Sequence, residues 1–338
     1  MPEGGAADGA GPASACLRTS PWARGAHLQT IAAQYLPPPG EGLPRESLRL
    51  DLGDGDALAL RALDGTSGVA VHLFHGLGGS VEGHYMRRAA ALFHARGHAV
   101  LSANHRGAGE GQGLAQHTYH SGATADMAAV LRLGRKRFPG QLQVAVGFSI
   151  SANILLLLAG RDRHLDLPDR AFAVNPPADL EACSVRLGQG FNRVYDHYFV
   201  HRLRKEVAGR PGGEAAQAVR TLRAFDAVYT APRAGFRDRD DYYAKCSCGP
   251  SLASITVPTV LITSQDDPLA PSEHVLGFSL APAVHLHLEA TGGHMGYISR
   301  DAPGRRWLEP ALAHFAQALR SRLGTCAPGA DKQYGGAR

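Results

Sequence analysis

The sequence predicts an α/β protein, a mostly parallel, doubly wound sheet with a helical cap inserted late in the chain. Two features carry that expectation. From Val69 onward, short apolar strand-like runs alternate with longer segments that suit helices. From about Leu180 to Ser251 the character becomes polar, helical and aromatic, and the strand pattern then resumes. A third feature, the run from Gln143 to Leu158, reads as strand, sharp turn with Ser149 at its apex, and buried helix.

At 338 residues the chain is long enough for one large domain and does not require two. The expected organisation is a disordered tail over 1–18, rich in Gly, Ala, Pro and Ser, then one domain over 19–323 with the cap at about 180–251. A second disordered tail follows over 324–338. Lys and Arg number 35 against 30 Asp and Glu, a net +5 that is not gathered into an arm. Arg132, Arg135, Lys136 and Arg137 read as the solvated end of a helix. Arg202, Arg204 and Lys205 make a second cluster that allows peripheral contact with anionic lipid. No aromatic interleaving or motif points to nucleic acid.

The five cysteines are scattered, and Cys246-Ser247-Cys248 lacks the second pair of a zinc site. Reduced thiols in a cytoplasmic protein, with no metal and no cofactor, are therefore expected. No signal peptide is visible, and the longest apolar run, after Ser149, is too short to span a bilayer. Nothing in the sequence sets the oligomeric state.

In chain order, the segment from Pro21 to Ile31 looks ordered but suggests no chemistry by itself. Glu46–Leu52 and Ala57–Leu63, joined through Gly53-Asp54-Gly55, read as an antiparallel hairpin. Val69–Phe74 is a continuous apolar strand, Val81–Arg96 a helix, His98–Ala103 a strand and Thr124–Phe138 a helix. Ala171–Val174, Thr259–Thr263 and Val284–Leu288 supply further strands, and a last helix covers roughly Trp307–Leu323. In such a sheet the reacting groups gather in loops at the strands' C-terminal ends.

Four loops fall there. Gly147-Phe148-Ser149-Ile150-Ser151 resembles a G-x-S-x-G nucleophile elbow, with serine in place of the second glycine. Such a turn projects the hydroxyl toward a base and leaves the N–H groups of the helix start facing a developing negative charge. Its bland reading is an ordinary serine in a strand-to-helix turn. Asp266-Asp267-Pro268-Leu269 follows a later strand and offers an acid to orient a histidine. The spacing D-P-L-x-P favours Asp267, leaving Asp266 as a turn or N-cap residue; by itself the stretch is simply a turn. Gly292-Gly293-His294 follows the last strand and makes His294 the natural general base. His75-Gly76-Leu77-Gly78-Gly79 leaves the N–H of Leu77 free to form an oxyanion hole with that of Ile150, while His75 holds the loop. Neither a G-x-G-x-x-G run nor a Walker lysine supports a phosphate site.

Each loop alone is weak. Their order, Leu77, Ser149, Asp267, His294, is the chain order of α/β-hydrolases. The chain also resembles one branch of that superfamily, the YheT-like hydrolases, related to ABHD-type and plant embryo-abundant hydrolases. The matching residues include His27-Leu28-Gln29-Thr30, His75-Gly76-Leu77, Tyr119-His120-Ser121-Gly122, Gly147-Phe148-Ser149, Phe225-Asp226, Tyr242-Tyr243, Asp266-Asp267-Pro268 and Gly292-Gly293-His294. The resemblance implies an α/β-hydrolase fold, a Ser149–Asp267–His294 triad, and hydrolysis of short-chain or acylglycerol-type esters, a role in lipid metabolism. An acyltransferase or phospholipase on the same triad, and a non-catalytic binding module on a hydrolase fold, are the rival expectations. A small-molecule ester is the partner implied.

Overall fold

The computed structural model describes residues 17–36 and 43–321. Residues 1–16 and 324–338 of the two expected tails, together with Cys16 and Cys326, lie outside the described residues. Eight strands form one sheet: β1 Glu46–Asp51, β2 Ala57–Leu63, β3 Val69–Phe74, β4 Ala99–Ala103, β5 Leu142–Phe148, β6 Arg170–Val174, β7 Thr259–Ser264 and β8 Val284–Glu289. Their order across the sheet is β1-β2-β4-β3-β5-β6-β7-β8. The hairpin β1–β2 and the β2–β4 pair are antiparallel, and the remaining pairs are parallel. All of β3 and β5 to β8 therefore end at the same edge.

Side-chain size differs between the two faces. Val71 and Leu73 on β3, Val144 and Val146 on β5, and Phe172 on β6 pack with helix α2 (His84–His94) and the last helix, Leu308–Ser321. On the other face stand Ala70, Ala145, Ala171 and Ala173, beneath helices α3 (Thr124–Arg137) and α4 (Ile150–Gly160). Small residues at alternate strand positions let α4 lie close to the sheet. Every residue of α4 is buried, because the segment Gly249–Ser254 covers its far side: a Cβ on Gly160 would lie 2.4 Å from the Ser251 carbonyl. That enclosure explains an unbroken aliphatic run in a helix too short to cross a membrane. Each large aliphatic side chain there contributes about 1.5–3 kcal/mol of transfer free energy, an upper estimate against an extended unfolded chain.

Helix α2 starts later than the expected Val81. The Val81 N–H donates to Asn104 Oδ1 at 3.0 Å and the Gly83 N–H to the Ser80 carbonyl at 3.0 Å, so a turn occupies the expected first helical turn. Between β6 and β7 the chain is helical: α5 Leu180–Leu187, α6 Arg193–Val207, and shorter helices ending with Arg239–Cys246 and Gly249–Ser254. This set includes a π-helical turn, Asp226–Thr230. Before β1, helix α1 (Ala26–Tyr35) contains the His27-Leu28-Gln29-Thr30 run. Arg132, Arg135 and Arg137 of the expected solvated helix end pair with Asp166, Asp169 and Glu46.

Candidate active site

The loops after β3, β5, β6, β7 and β8 meet above the C-terminal edge of the sheet. Ser149 sits there with φ 55° and ψ −116°, a conformation that a non-glycine residue adopts only when its surroundings impose it. Two close approaches do so. A Cβ on Gly147 would lie 2.5 Å from the Ser151 carbonyl, so only glycine fits where strand and helix converge. A Cβ on Gly76 would lie 3.3 Å from Ser149 Cβ, which sets the loop after β3 directly against the elbow. Asn175 (φ 49°), Met295 (φ 62°) and Tyr297 (φ 42°) also have positive φ, so four of the five non-glycine residues with positive φ among the described residues cluster at this edge.

Ser151 does more than replace a glycine. It is fully buried; its hydroxyl donates to the His75 carbonyl at 2.5 Å, and His105 Nε2 lies 2.7 Å from its oxygen. The His105 N–H donates to His75 Nε2 at 3.2 Å, which leaves His75 Nδ1 to donate to the Gly76 carbonyl at 2.8 Å. Burial pushes the His105 pKa down to about 4; burial and the neighbouring His105 hold His75 well below the ordinary histidine value. Both rings are thus neutral braces. The Gly78 N–H donates to Tyr119 Oη at 3.0 Å and the Gly79 N–H to the Gly76 carbonyl at 3.0 Å. Between these ties, the N–H groups of Leu77 and Ile150 have no hydrogen-bond partner among the described residues, and both residues line the cavity that Ser149 faces.

His294 Nε2 lies 2.9 Å from Ser149 Oγ, and His294 Nδ1 lies 2.9 Å from Asp267 Oδ2. Since Nδ1–H donates to the carboxylate, Nε2 is the face that can accept the serine proton. It is Asp267, not Asp266, that reaches the histidine. Its other oxygen accepts from the Leu269 and Ala270 N–H groups at 2.8 and 3.0 Å. Asp266 is more than a turn residue: its Oδ1 accepts from the Gly293 N–H at 2.8 Å and braces the histidine loop, and burial pushes its pKa up.

Three residues escaped the reading of the sequence. Asn175, at the end of β6, donates through Nδ2 to Asp267 Oδ2 at 2.7 Å and accepts from Tyr297 Oη at 2.9 Å. Thr30 Oγ1 accepts from the His294 N–H at 2.9 Å and donates to the Ala26 carbonyl at 2.8 Å. Gln29 Oε1 accepts from the Ile298 N–H at 2.6 Å, and its Nε2 donates to the Ala23 carbonyl at 2.9 Å. Helix α1 therefore carries the histidine loop. The fit is close, since a Cβ on Gly293 or Gly296 would come within 2.4 Å of its backbone. His27 ties the same helix to α6, 3.0 Å from Tyr195 Oη. The family-like His27–Thr30 run was the available signal, but nothing in it named the loop it would meet.

A cavity of about 920 Å³, mouth included, opens on Ser149 and His294. Leu180, Leu187, Leu203 and Phe225 give it an apolar wall, and Tyr119, Glu206, Arg210 and Asp226 a polar one. The cap-side residues are knitted to the elbow helix. Tyr242 Oη accepts from the Ser121 N–H at 3.0 Å, and Asn153 Nδ2 donates to the Ser121 and Cys246 carbonyls, each at 2.8 Å. Tyr243 Oη donates to Asp226 Oδ2 at 2.8 Å, and burial raises that carboxyl to about 6.

Among the described residues one group of potential metal ligands comes together, Asp54, Asp56 and His117. Its acceptors are already taken by Arg106, at 2.7 Å from both Asp54 and Asp56, and by the Gln116 and His117 N–H groups. Cys246 and Cys248 are buried free thiols. No helix among the described residues is long and apolar enough to cross a membrane.

A family model described as alpha/beta hydrolase fold matches residues 69–301. The putative esterase YheT of Escherichia coli strain K12 is 35% identical over 281 residues, spanning 78% of this chain and 82% of that protein. A monoacylglycerol lipase of Saccharomyces cerevisiae is 26% identical and covers 61% of this chain, which spans only 49% of the lipase. Phospholipase ABHD3 of Mus musculus is 26% identical, with 76% of this chain and 65% of that protein covered. Among solved structures, the esterase Pf2001 of Pyrococcus furiosus superposes with a TM-score of 0.57 at 18% identity, over 86% of this chain and 98% of that one.

Proposed function

The chain belongs to the α/β-hydrolase family, in the branch of the YheT esterase, and from that premise we propose that it is a serine carboxylic-ester hydrolase working through an acyl-enzyme. The observation that supports this most is the hydrogen-bonded series Ser149 Oγ, His294 and Asp267, with 2.9 Å at each step. In the proposed cycle Nε2 of His294 takes the proton as Ser149 Oγ attacks an ester carbonyl. The N–H groups of Leu77 and Ile150 hold the oxyanion, and Asp267 fixes the imidazole tautomer and balances the imidazolium. His294 returns the proton to the departing alcohol. It then activates a water that releases the acid and frees the serine. The helices over about 180–251 act as the cap, and their apolar wall takes the organic part of the ester, short-chain or acylglycerol-type.

The test is Ser149→Ala assayed on p-nitrophenyl acetate, beside labelling by a fluorophosphonate probe. Loss of a triad nucleophile costs on the order of 10⁴–10⁶ in kcat. Turnover should therefore fall to background, and labelling, present in the native protein, should vanish. Retained turnover in a clean preparation would reject the assignment.

One surface favours a second reading, action at a lipid interface. Phe191, just before α6, and Val194 and Tyr198 on it are each about half exposed (51–52%), and Arg202 of α6 lies over the Tyr198 ring. Strong activation by anionic vesicles, absent with neutral ones, would favour a phospholipase-like enzyme.

A further inference from the structure

Glu206 is an acid that the proposed chemistry does not use. It projects from α6 into the cavity that Ser149 faces. Its Oε2 accepts from Tyr119 Oη at a long 3.3 Å; its Oε1 has no hydrogen-bond partner among the described residues, and no salt bridge engages the carboxyl. Tyr119 Oη in turn receives the Gly78 N–H, one residue beyond Leu77, so the acid stands beside the oxyanion loop rather than at a remote end of the pocket. Glu206 is only partly buried, so this oxygen is open to a donor group that enters the cavity and displaces solvent from it.

We propose that Glu206 is a specificity-determining residue, whose open carboxyl oxygen receives a hydroxyl group of the substrate, so that the preferred esters carry a free hydroxyl near the scissile bond. This rests on the serine-esterase reading above.

The charges around the carboxyl narrow the class. Arg202 and Arg210 both act on it, so a cationic group would meet two guanidinium groups. An anionic group would bring the carboxylate oxygen no proton to accept. A neutral donor meets neither obstacle. Burial raises Glu206 to about 7, so near neutral pH the group can accept from a hydroxyl or donate to one.

The test uses two matched ester pairs, because the hydroxyl can lie on either side of the scissile bond. One is p-nitrophenyl butyrate against its 3-hydroxy analogue; the other is propyl butyrate against glycerol monobutyrate. A hydrogen bond to an ionised group is worth about 1.5–3 kcal/mol, roughly 10–100-fold. The native enzyme should favour the hydroxylated member of one pair by that factor in kcat/KM, mostly through KM. In Glu206→Leu the ratio should fall to about one, and Glu206→Gln, which keeps an acceptor and the side-chain length, should retain part of it. Tyr119→Phe removes the tie to the loop while sparing the carboxyl, and should preserve the ratio.

A native enzyme that hydrolyses plain and hydroxylated esters equally in both pairs overturns the proposal and leaves the esterase reading standing. So does an equal loss on both members in Glu206→Leu that Tyr119→Phe reproduces, for then the acid only braces the loop. A protein inert on all four esters and unlabelled by fluorophosphonate overturns both.

Discussion

The sheet edge and the cap build the two halves of one cavity by different means. At the edge, nearly every polar group has a close partner, and the geometry is enforced by contacts that allow no alternative: Gly147 against Ser151, Gly293 and Gly296 against α1, Asn175 between Asp267 and Tyr297. In the cap the wall is mainly side-chain packing, and the Glu206 carboxyl there has a single long hydrogen bond, from Tyr119 Oη at 3.3 Å. Both halves hold ionisable groups whose pKa values are shifted toward the neutral form, but of opposite kinds. The sheet side buries histidines, His72 and His105 at about 4, while the cap side buries acids, Glu206 at about 7 and Asp226 at about 6. On the function proposed above, the rigid half would set the reaction geometry and the more permissive half would choose the ester.

The contrast breaks most easily at the elbow. Gly147→Ala forces a methyl group into backbone and should cost about 1–3 kcal/mol of stability, together with most ester turnover. A thermal melt and an esterase assay on the same sample check both, and an unchanged melt with full activity would mean the edge is not rigid. Next come the supports of the histidine and its acid. Asn175→Leu and Thr30→Val should each lower kcat by roughly 10–100-fold, the cost of a misplaced reacting group, with KM changing less. Thr30→Ser keeps the hydroxyl and should recover most of the loss; if it does not, the tie to His294 is not the cause.

Acid titration sharpens the contrast with a smaller effect. His72 and His105 have folded pKa values depressed from 6.5, so the stability they contribute is complete above about pH 6.5 and is lost as pH falls through about 4. Glu206 and Asp226 have raised values, so their contribution is complete at low pH and is lost as pH rises through about 7 and about 6. The cap acids therefore partly offset the histidines on acidification. Melting temperatures between pH 7 and pH 5 should fall more steeply in Glu206→Gln and Asp226→Asn than in the native chain. Equal slopes would show that the acids titrate normally.

The smallest effect belongs to the cap's apolar wall. Leu203→Phe fills part of the cavity and should shift the preferred acyl length by one or two methylenes, about tenfold in relative kcat/KM at most. A panel of esters of graded length reads it directly. Loss of all activity instead would assign the cap a share in the reaction geometry.

The sequence by itself determined the sheet and the order of its loops. Strand runs, glycines at close approaches and the strand-turn-helix at Ser149 are local features, and local sterics fix them whatever else the chain does. It also carried the α/β-hydrolase resemblance, because that pattern is a set of short motifs in a fixed order. Only the tertiary structure decided which of two adjacent aspartates faces His294, that Asn175 and Thr30 support that pair, and that Ser151 bonds to His75 rather than merely filling space. These contacts join residues from 27 to 264 positions apart, or separate neighbours by a single backbone rotation. A linear pattern cannot rank such pairings, because their free energy exists only once the sheet has brought the strand ends together.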